Sequence, residues 1–225
     1  MPSITDLPIL PVLIDADGAR LHGDLGVPMT ARGLIIFAHG SGSSRRSARN
    51  RRVAEYLWSQ GFGTLLLDLL TPDEEGIDRH TSEHRFNIAL LARRLEAAID
   101  WAARQRATAG LPIGLFGAST GAAAALIAAA ARPLSVRAVV SRGGRPDLAS
   151  AALGRVKAPT LLVVGGADHE VIGLNRQAYR QLACDRHLEI VPGATHLFEE
   201  AGALEEVARL ASAWFDHHLA GAQTS

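Results

Sequence analysis

The run LFGASTGAAAAL (115–126) sets Ser119 between Gly117 and Gly121 in G-x-S-x-G spacing, after a strand-like stretch and before an alanine-rich helical one. The spacing has a mechanical reason. A serine raised on a sharp strand-to-helix turn leaves no room for side chains two residues to either side. The helix behind it also aims partial positive charge at the hydroxyl. A serine so placed is a nucleophile, but a weak one at neutral pH, so it needs a base and the base needs an orienting acid. Downstream, LLVVGGADHEVI (161–172) puts Asp168 just past one apolar run, and LEIVPGATHLF (188–198) puts His196 just past the next. Glu170 is the reserve acid. Asp147 and His169 read as helix caps, His22 as part of an edge hairpin, His187 as the start of a strand, and His217 and His218 as residues of the last helix. The competing reading of Ser119 is a glycine-flanked turn whose hydroxyl only caps its helix.

A second glycine-rich stretch, HGSGSSRRSARNRR (39–52), carries five arginines. It lacks G-x-x-x-x-G-K-[ST] and the full dinucleotide fingerprint, so it is no phosphate cradle of either kind. It follows the strand-like LIIFAH, in a position that resembles that of the oxyanion loop in α/β-hydrolases. A tetrahedral intermediate holds negative charge that fixed N–H groups stabilise. The backbone N–H groups of Ser41 and Thr120 are the expected donors, with Gly42 beside them and His39 bracing the loop. A helix is expected to begin near Ser43 or Ser44, with Arg49, Arg51 and Arg52 on its solvated face. Arg45 and Arg46 lie nearer the donors, and Arg142 and Arg145 follow another strand, in SRGGRPD (141–147). These four are candidates for gripping an anionic group on the substrate. The alternative is bracing by ion pairs to Asp73, Glu74, Glu75 or Asp147.

The elements that must position these groups are short Val/Ile/Leu-rich runs alternating with amphipathic stretches: 33–40, 63–70, 112–117, 136–144, 159–168 and 186–196. That alternation predicts a mostly parallel α/β sheet covered on both faces, with ligands bound beyond the carboxyl ends of its strands. The ADG turn (16–18) predicts an antiparallel hairpin at one edge. The charged segment 71–86 reads as a surface loop. Trp58, Trp101 and Trp214 fall on helices as packing residues. The 225 residues are expected to form one domain, 1–225. Twenty-three basic residues balance 23 acidic ones, which argues against a nucleic-acid or anionic-membrane partner. The single cysteine, Cys184, fits a reducing cytoplasm and reads as an inert thiol at a helix end. The N-terminus lacks signal-peptide features, the tail AGAQTS (220–225) reads as frayed, and the apolar run 122–131 is too short to span a bilayer. His80 and His84 have i, i+4 spacing, but without H-E-x-x-H or clustered cysteines no metal site is expected.

With HGSGSS, GASTG, GGADHEV and GATHLF in that order along essentially the whole chain, the sequence resembles the dienelactone-hydrolase-like branch of the α/β-hydrolases. The resemblance implies an eight-stranded, mostly parallel sheet with helices on both faces. It implies a Ser119–Asp168–His196 triad that cleaves esters or lactones through an acyl-enzyme, with no metal or organic cofactor. The dienelactone hydrolases that name the branch use a cysteine at the elbow. Serine here shifts the expectation from dienelactone to small carboxylic esters. Short connections leave no room for a large lid. The expected partner is a small ester or lactone, and a homodimer is left open. Other acyl transfers (perhydrolase, transacylase, small-peptide hydrolase) use the same residues. A non-catalytic binding module would be expected to have lost one of them.

Overall fold

In the computed structural model, residues 9–219 are described. The expectations for the N-terminus and for the tail 220–225 lie outside them. The chain opens on a hairpin, β1 (Ile9–Ala16) and β2 (Ala19–Gly26), whose turn residues Asp17 and Gly18 both have positive φ (55° and 86°). That is the backbone a two-residue turn between twisted strands requires. There follow β3 (Leu34–Ala38), α1 (Ala48–Ser59), β4 (Gly63–Leu67), α2 (Pro72–Thr81), α3 (Ile88–Arg104), β5 (Ile113–Ala118) and α4 (Thr120–Ala131). Next are β6 (Val136–Arg142), a 3-10 turn (Pro146–Ala149), α5 (Ser150–Leu153), β7 (Thr160–Gly165), α6 (His169–Gln181), β8 (Arg186–Val191) and α7 (Ala203–Leu219).

The eight strands form one sheet in the order β1-β2-β4-β3-β5-β6-β7-β8. β2 runs antiparallel to both of its neighbours, and all other pairings are parallel. The strands that carry the site, β3, β5 and β7, are buried along their whole length. Continuous apolar runs of this kind are what a sheet covered on both faces demands. On one face Val53 and Leu57 of α1 and Val207 and Phe215 of α7 pack over Ile35, Phe116 and Val140. On the other, α3 and α4 lay Leu95, Ile99 and Leu126 against Ile36 and Leu115. Among the described residues no helix is long and apolar enough to cross a membrane.

Two expectations need correction. α1 begins at Ala48, later than expected, because the Ser47 hydroxyl accepts the Asn50 N–H and caps it there. The segment read as a surface loop contains α2. Thr71 caps that helix, Pro72 occupies its first turn, and Thr71 and Glu74 form a reciprocal capping box. The signal T-P-D-E was present in the sequence and charge density masked it. Trp58, Trp101 and Trp214 are on helices and half-buried. Cys184 lies in the turn after α6, where burial pushes its thiol pKa up.

Candidate active site

Ser119 is the hinge between β5 and α4. Its φ of 51° and ψ of −122° lie outside the usual regions for an L-residue, and its side chain makes no capping bond to the helix that follows. The helix-cap alternative for this serine therefore does not describe the structure. The strain is sustained by neighbouring backbone: Ser119 N–H donates to Arg142 O (3.2 Å), and Ser119 O accepts from Arg145 N–H (3.1 Å). The glycines on either side are required by space. A Cβ on Gly117 would stand 2.4 Å from Ala122 Cα, and one on Gly121 2.2 Å from Ala38 O. β5 and α4 can meet β3 this closely only without those side chains.

Asp168 ends the turn after β7 and His196 the turn after β8. His196 Nδ1 is 2.7 Å from Asp168 Oδ2, with the carboxylate side chain 15 % exposed and the imidazole 38 %. An ionised carboxylate only accepts, so Nδ1 carries a proton and Nε2 is left as the basic nitrogen. Glu170, the reserve acid, is exposed two residues on, in the first turn of α6. The imidazole lies against the β6–α5 loop, which is bonded to Ser119. A Cβ built on Gly143 would be 3.6 Å from His196 Cε1. Among the described residues no hydrogen bond joins Ser119 Oγ to His196 in this conformation. Such bonds are often long without substrate and tighten when it binds.

The loop after β3 crosses the elbow. His39 is buried and neutral: its Nε2 accepts the Leu69 N–H (3.0 Å), its Nδ1 bonds to Gly40 O (2.9 Å), and burial lowers its pKa. It ties the loop to the end of β4 and has no free nitrogen for base catalysis. Arg45 reinforces that tie. Its backbone N–H donates to Asp68 (2.6 Å), and its guanidinium pairs with Asp68 and Asp24. Ser41 N–H donates to Thr120 Oγ1 (2.9 Å).

The four candidate substrate arginines divide. Arg45 is committed to Asp68 and Asp24, and Arg145 to Asp147 (2.8 Å), so both are braces rather than free grips. Arg46 is exposed and lines a cavity of about 400 Å³ between the loop after β3, α2 and α3, with Ser41, Ser44, Leu70, Arg79 and Arg85. Arg85 is held there by Asp78, a buried carboxylate that also accepts the His84 and Arg85 N–H groups. Neither Arg79, Arg85 nor Asp78 was singled out from the sequence, because α2 was not recognised as an element. Arg142 does not line this cavity. It is buried on the α1 side of the sheet, beside Asn50 and the Phe198 ring.

The model of the dienelactone hydrolase family matches residues 21–218. A dienelactone hydrolase from Anabaena variabilis, of known crystal structure, is 55 % identical, covers 94 % of this chain and 98 % of its own, and superposes with a TM-score of 0.93. Est1E from Butyrivibrio proteoclasticus, at 19 % identity over 93 % of this chain and 99 % of its own, shares the fold with a TM-score of 0.79. A Mycobacterium tuberculosis (strain H37Rv) protein named "Putative phosphoribosyl transferase" is 58 % identical over 210 residues, which are 93 % of this chain and 46 % of that protein. The chain thus spans about half the length of the curated relatives it matches. An eight-stranded α/β-hydrolase sheet, a strained serine elbow and a family match over almost the whole described length lead to one conclusion: the chain belongs to the dienelactone hydrolase family.

Proposed function

We propose that this protein is a serine hydrolase that cleaves small carboxylic esters or lactones through an acyl-enzyme. The observation that carries the reading is the strained Ser119 elbow beside an imidazole whose Nδ1 is held by Asp168. His196 Nε2 takes the Ser119 proton as Oγ bonds to the carbonyl carbon and the carbonyl π pair moves onto oxygen. Asp168 fixes the tautomer and stabilises the imidazolium. The oxyanion is met by the Thr120 N–H, an unsatisfied donor of the first turn of α4, and by the Ser41 side of the loop after β3. As the tetrahedral centre collapses, the alcohol leaves with the proton from His196. Water, deprotonated by the same nitrogen, then releases the acid. None of these steps uses a metal or organic cofactor.

The cavity beside the oxyanion loop suits a small substrate, and Arg46 with Arg79 favours one bearing a negative group. The transferase name of the mycobacterial relative is not carried over, because the match covers under half of that protein. A small-molecule ester or lactone as partner, and a cytoplasmic setting, belong to the same proposal. The test is labelling by a fluorophosphonate, together with hydrolysis of a panel of p-nitrophenyl esters and lactones. Wild type is expected to label and turn over, and Ser119→Ala to do neither. Equal labelling of the two proteins, or none of wild type, would refute the reading and favour a hydrolase-like binding module.

A further inference from the structure

The second oxyanion donor expected from the sequence, Ser41 N–H, is not free. It donates to Thr120 Oγ1 at 2.9 Å. Thr120 directly follows the nucleophile and is 3 % exposed. A hydroxyl can accept and donate at once. Among the described residues this one accepts from Ser41 and donates to nothing, so its proton is uncommitted in a buried place. The place is the right one. The loop after β3 lies so close over the elbow that a Cβ on Gly40 would be 2.9 Å from Ser119 Cβ and 3.7 Å from Ser119 Oγ. The next peptide N–H along that loop is the one Thr120 Oγ1 holds. The hydroxyl therefore sits at the seam between the loop after β3 and the first turn of α4, one residue from the nucleophile.

We infer that the Thr120 side chain is itself a catalytic residue: its O–H donates to the oxyanion, and Ser41 acts through it. Thr120 then supplies two donors to one oxygen, its backbone N–H and its hydroxyl. Ser41 N–H, by donating to Oγ1, polarises the O–H and fixes its rotamer. The bond to a neutral carbonyl is weak and the bond to the alkoxide is charge-assisted, so the interaction strengthens as the transition state is reached, the condition for lowering the barrier. The hydroxyl keeps its proton throughout. The proton that moves is that of Ser119, to His196. This inference rests on the serine-hydrolase reading and goes beyond it by separating a side-chain donor from the backbone ones.

Thr120→Val tests it, because valine keeps the shape and the backbone N–H and removes only the hydroxyl. The readouts are kcat and KM on a p-nitrophenyl ester, the fluorophosphonate labelling rate, and the melting temperature as a folding check. The expected result is a loss of about 10²-fold in kcat, as for removal of one oxyanion donor, with KM changed by no more than about twofold. Thr120→Ser should recover at least about tenfold of that loss. A Thr120→Val kcat equal to or above wild type would overturn the inference. It would mean that the hydroxyl only plugs Ser41 N–H at rest and that its removal frees a direct donor. An equal loss in the valine and serine variants would overturn it too. Should the valine variant not fold, the kcat ratio of Thr120→Ser to Thr120→Ala takes its place with the same tenfold threshold. Failure here leaves an active wild type, whereas failure of the serine-hydrolase reading shows as a wild type that neither labels nor turns over.

Discussion

Replacing Arg142 with methionine should make this protein more stable. Arg142 closes β6 at 7 % exposure, with Nε and Nη1 unpartnered. Its hydrogen bond to Asn50 Oδ1 is long, at 3.5 Å, and the Phe198 ring centroid is 6.0 Å from its guanidinium carbon, the outer limit of a cation–π contact. Burial, and then the like charge of Arg49, push its pKa down to about 10. The lowering below the ordinary guanidinium value is about 3 kcal/mol by which folding disfavours the cation. The guanidinium is charged in both folded and unfolded chains at pH 7, so the penalty is fully present there. It is relieved only as pH climbs from about 10 towards the unfolded value, where stability rises with pH because the unfolded chain binds more protons. Methionine fills a similar volume and gives up the Asn50 bond and the ring contact, together about 1 kcal/mol. The net gain is about 2 kcal/mol, or about 4–8 °C in melting temperature for a chain of this size. Calorimetry at pH 7 reads it directly. A fall of about 2 °C or more would show that the cation has a stabilising partner, and the reasoning would fail. The same variant addresses why so unfavourable a charge is kept. An unchanged kcat/KM ratio between carboxylate-bearing and neutral esters would exclude substrate charge as the reason.

Gly121→Ala should abolish activity and yield little folded protein, since the new Cβ would lie 2.2 Å from Ala38 O and 2.4 Å from His39 O, both backbone atoms; soluble yield and melting temperature check it. Asp168→Asn should keep the fold and lower kcat by about 10³-fold or more, because the amide lets His196 adopt the wrong tautomer. A loss smaller than about tenfold in steady-state kinetics would mean that another acid serves the histidine. Burial alone would raise the Glu74 pKa, but bonds from Arg94 and from the Thr71 N–H outweigh it and pull it down to about 2. The stabilisation is present above the ordinary carboxylate value and is lost as pH falls through about 2. Glu74→Gln should therefore melt below wild type at pH 7, with the gap closing on acidification. A gap independent of pH would contradict the assignment.

What the sequence disclosed about the site was what local chemistry encodes. The strand-end positions of Ser119, Asp168 and His196 follow from apolar runs ending in glycine-rich turns, and His196 is reached by setting aside the histidines that fall on helices and strands. The helix boundaries were less legible: the Ser47 cap competes with Ser43 and Ser44 in a serine-rich run, and α2 was hidden under its own charge. Of the ion pairs that the candidate arginines make, only Arg145–Asp147, two residues apart, was legible. Arg45 finds Asp24, on β2, and Asp68, just past β4, because those strands are neighbours in the sheet, a fact of topology that spacing does not contain. The bond between Ser41 and Thr120 is of the same kind, joining residues 79 positions apart.

The site is held mainly by peptide groups, and this explains why its side chains are few. The loop after β5 is bonded to the loop after β6 through Ser119 and Arg142 and through Arg145 and Ser119. The loop after β6 is bonded to β7 by Gly143 N–H to Val163 O (2.8 Å). The loop after β7 is bonded to β8 and its turn by Gly166 N–H to Val191 O (2.8 Å) and Ala167 N–H to Ala194 O (2.9 Å). Serine, acid and histidine thus stand on one continuous ladder of backbone bonds that runs across the carboxyl ends of four adjacent strands. Backbone groups lose no rotamer freedom in making such contacts, and they must be paired in any case once buried. Preorganisation of the three side chains is therefore a consequence of satisfying the loop amides. Truncating the Ser119, Asp168 or His196 side chain leaves that ladder intact, whereas a single methyl group where two loops touch breaks it, as at Gly165, whose Cβ would stand 2.3 Å from Ala194 O.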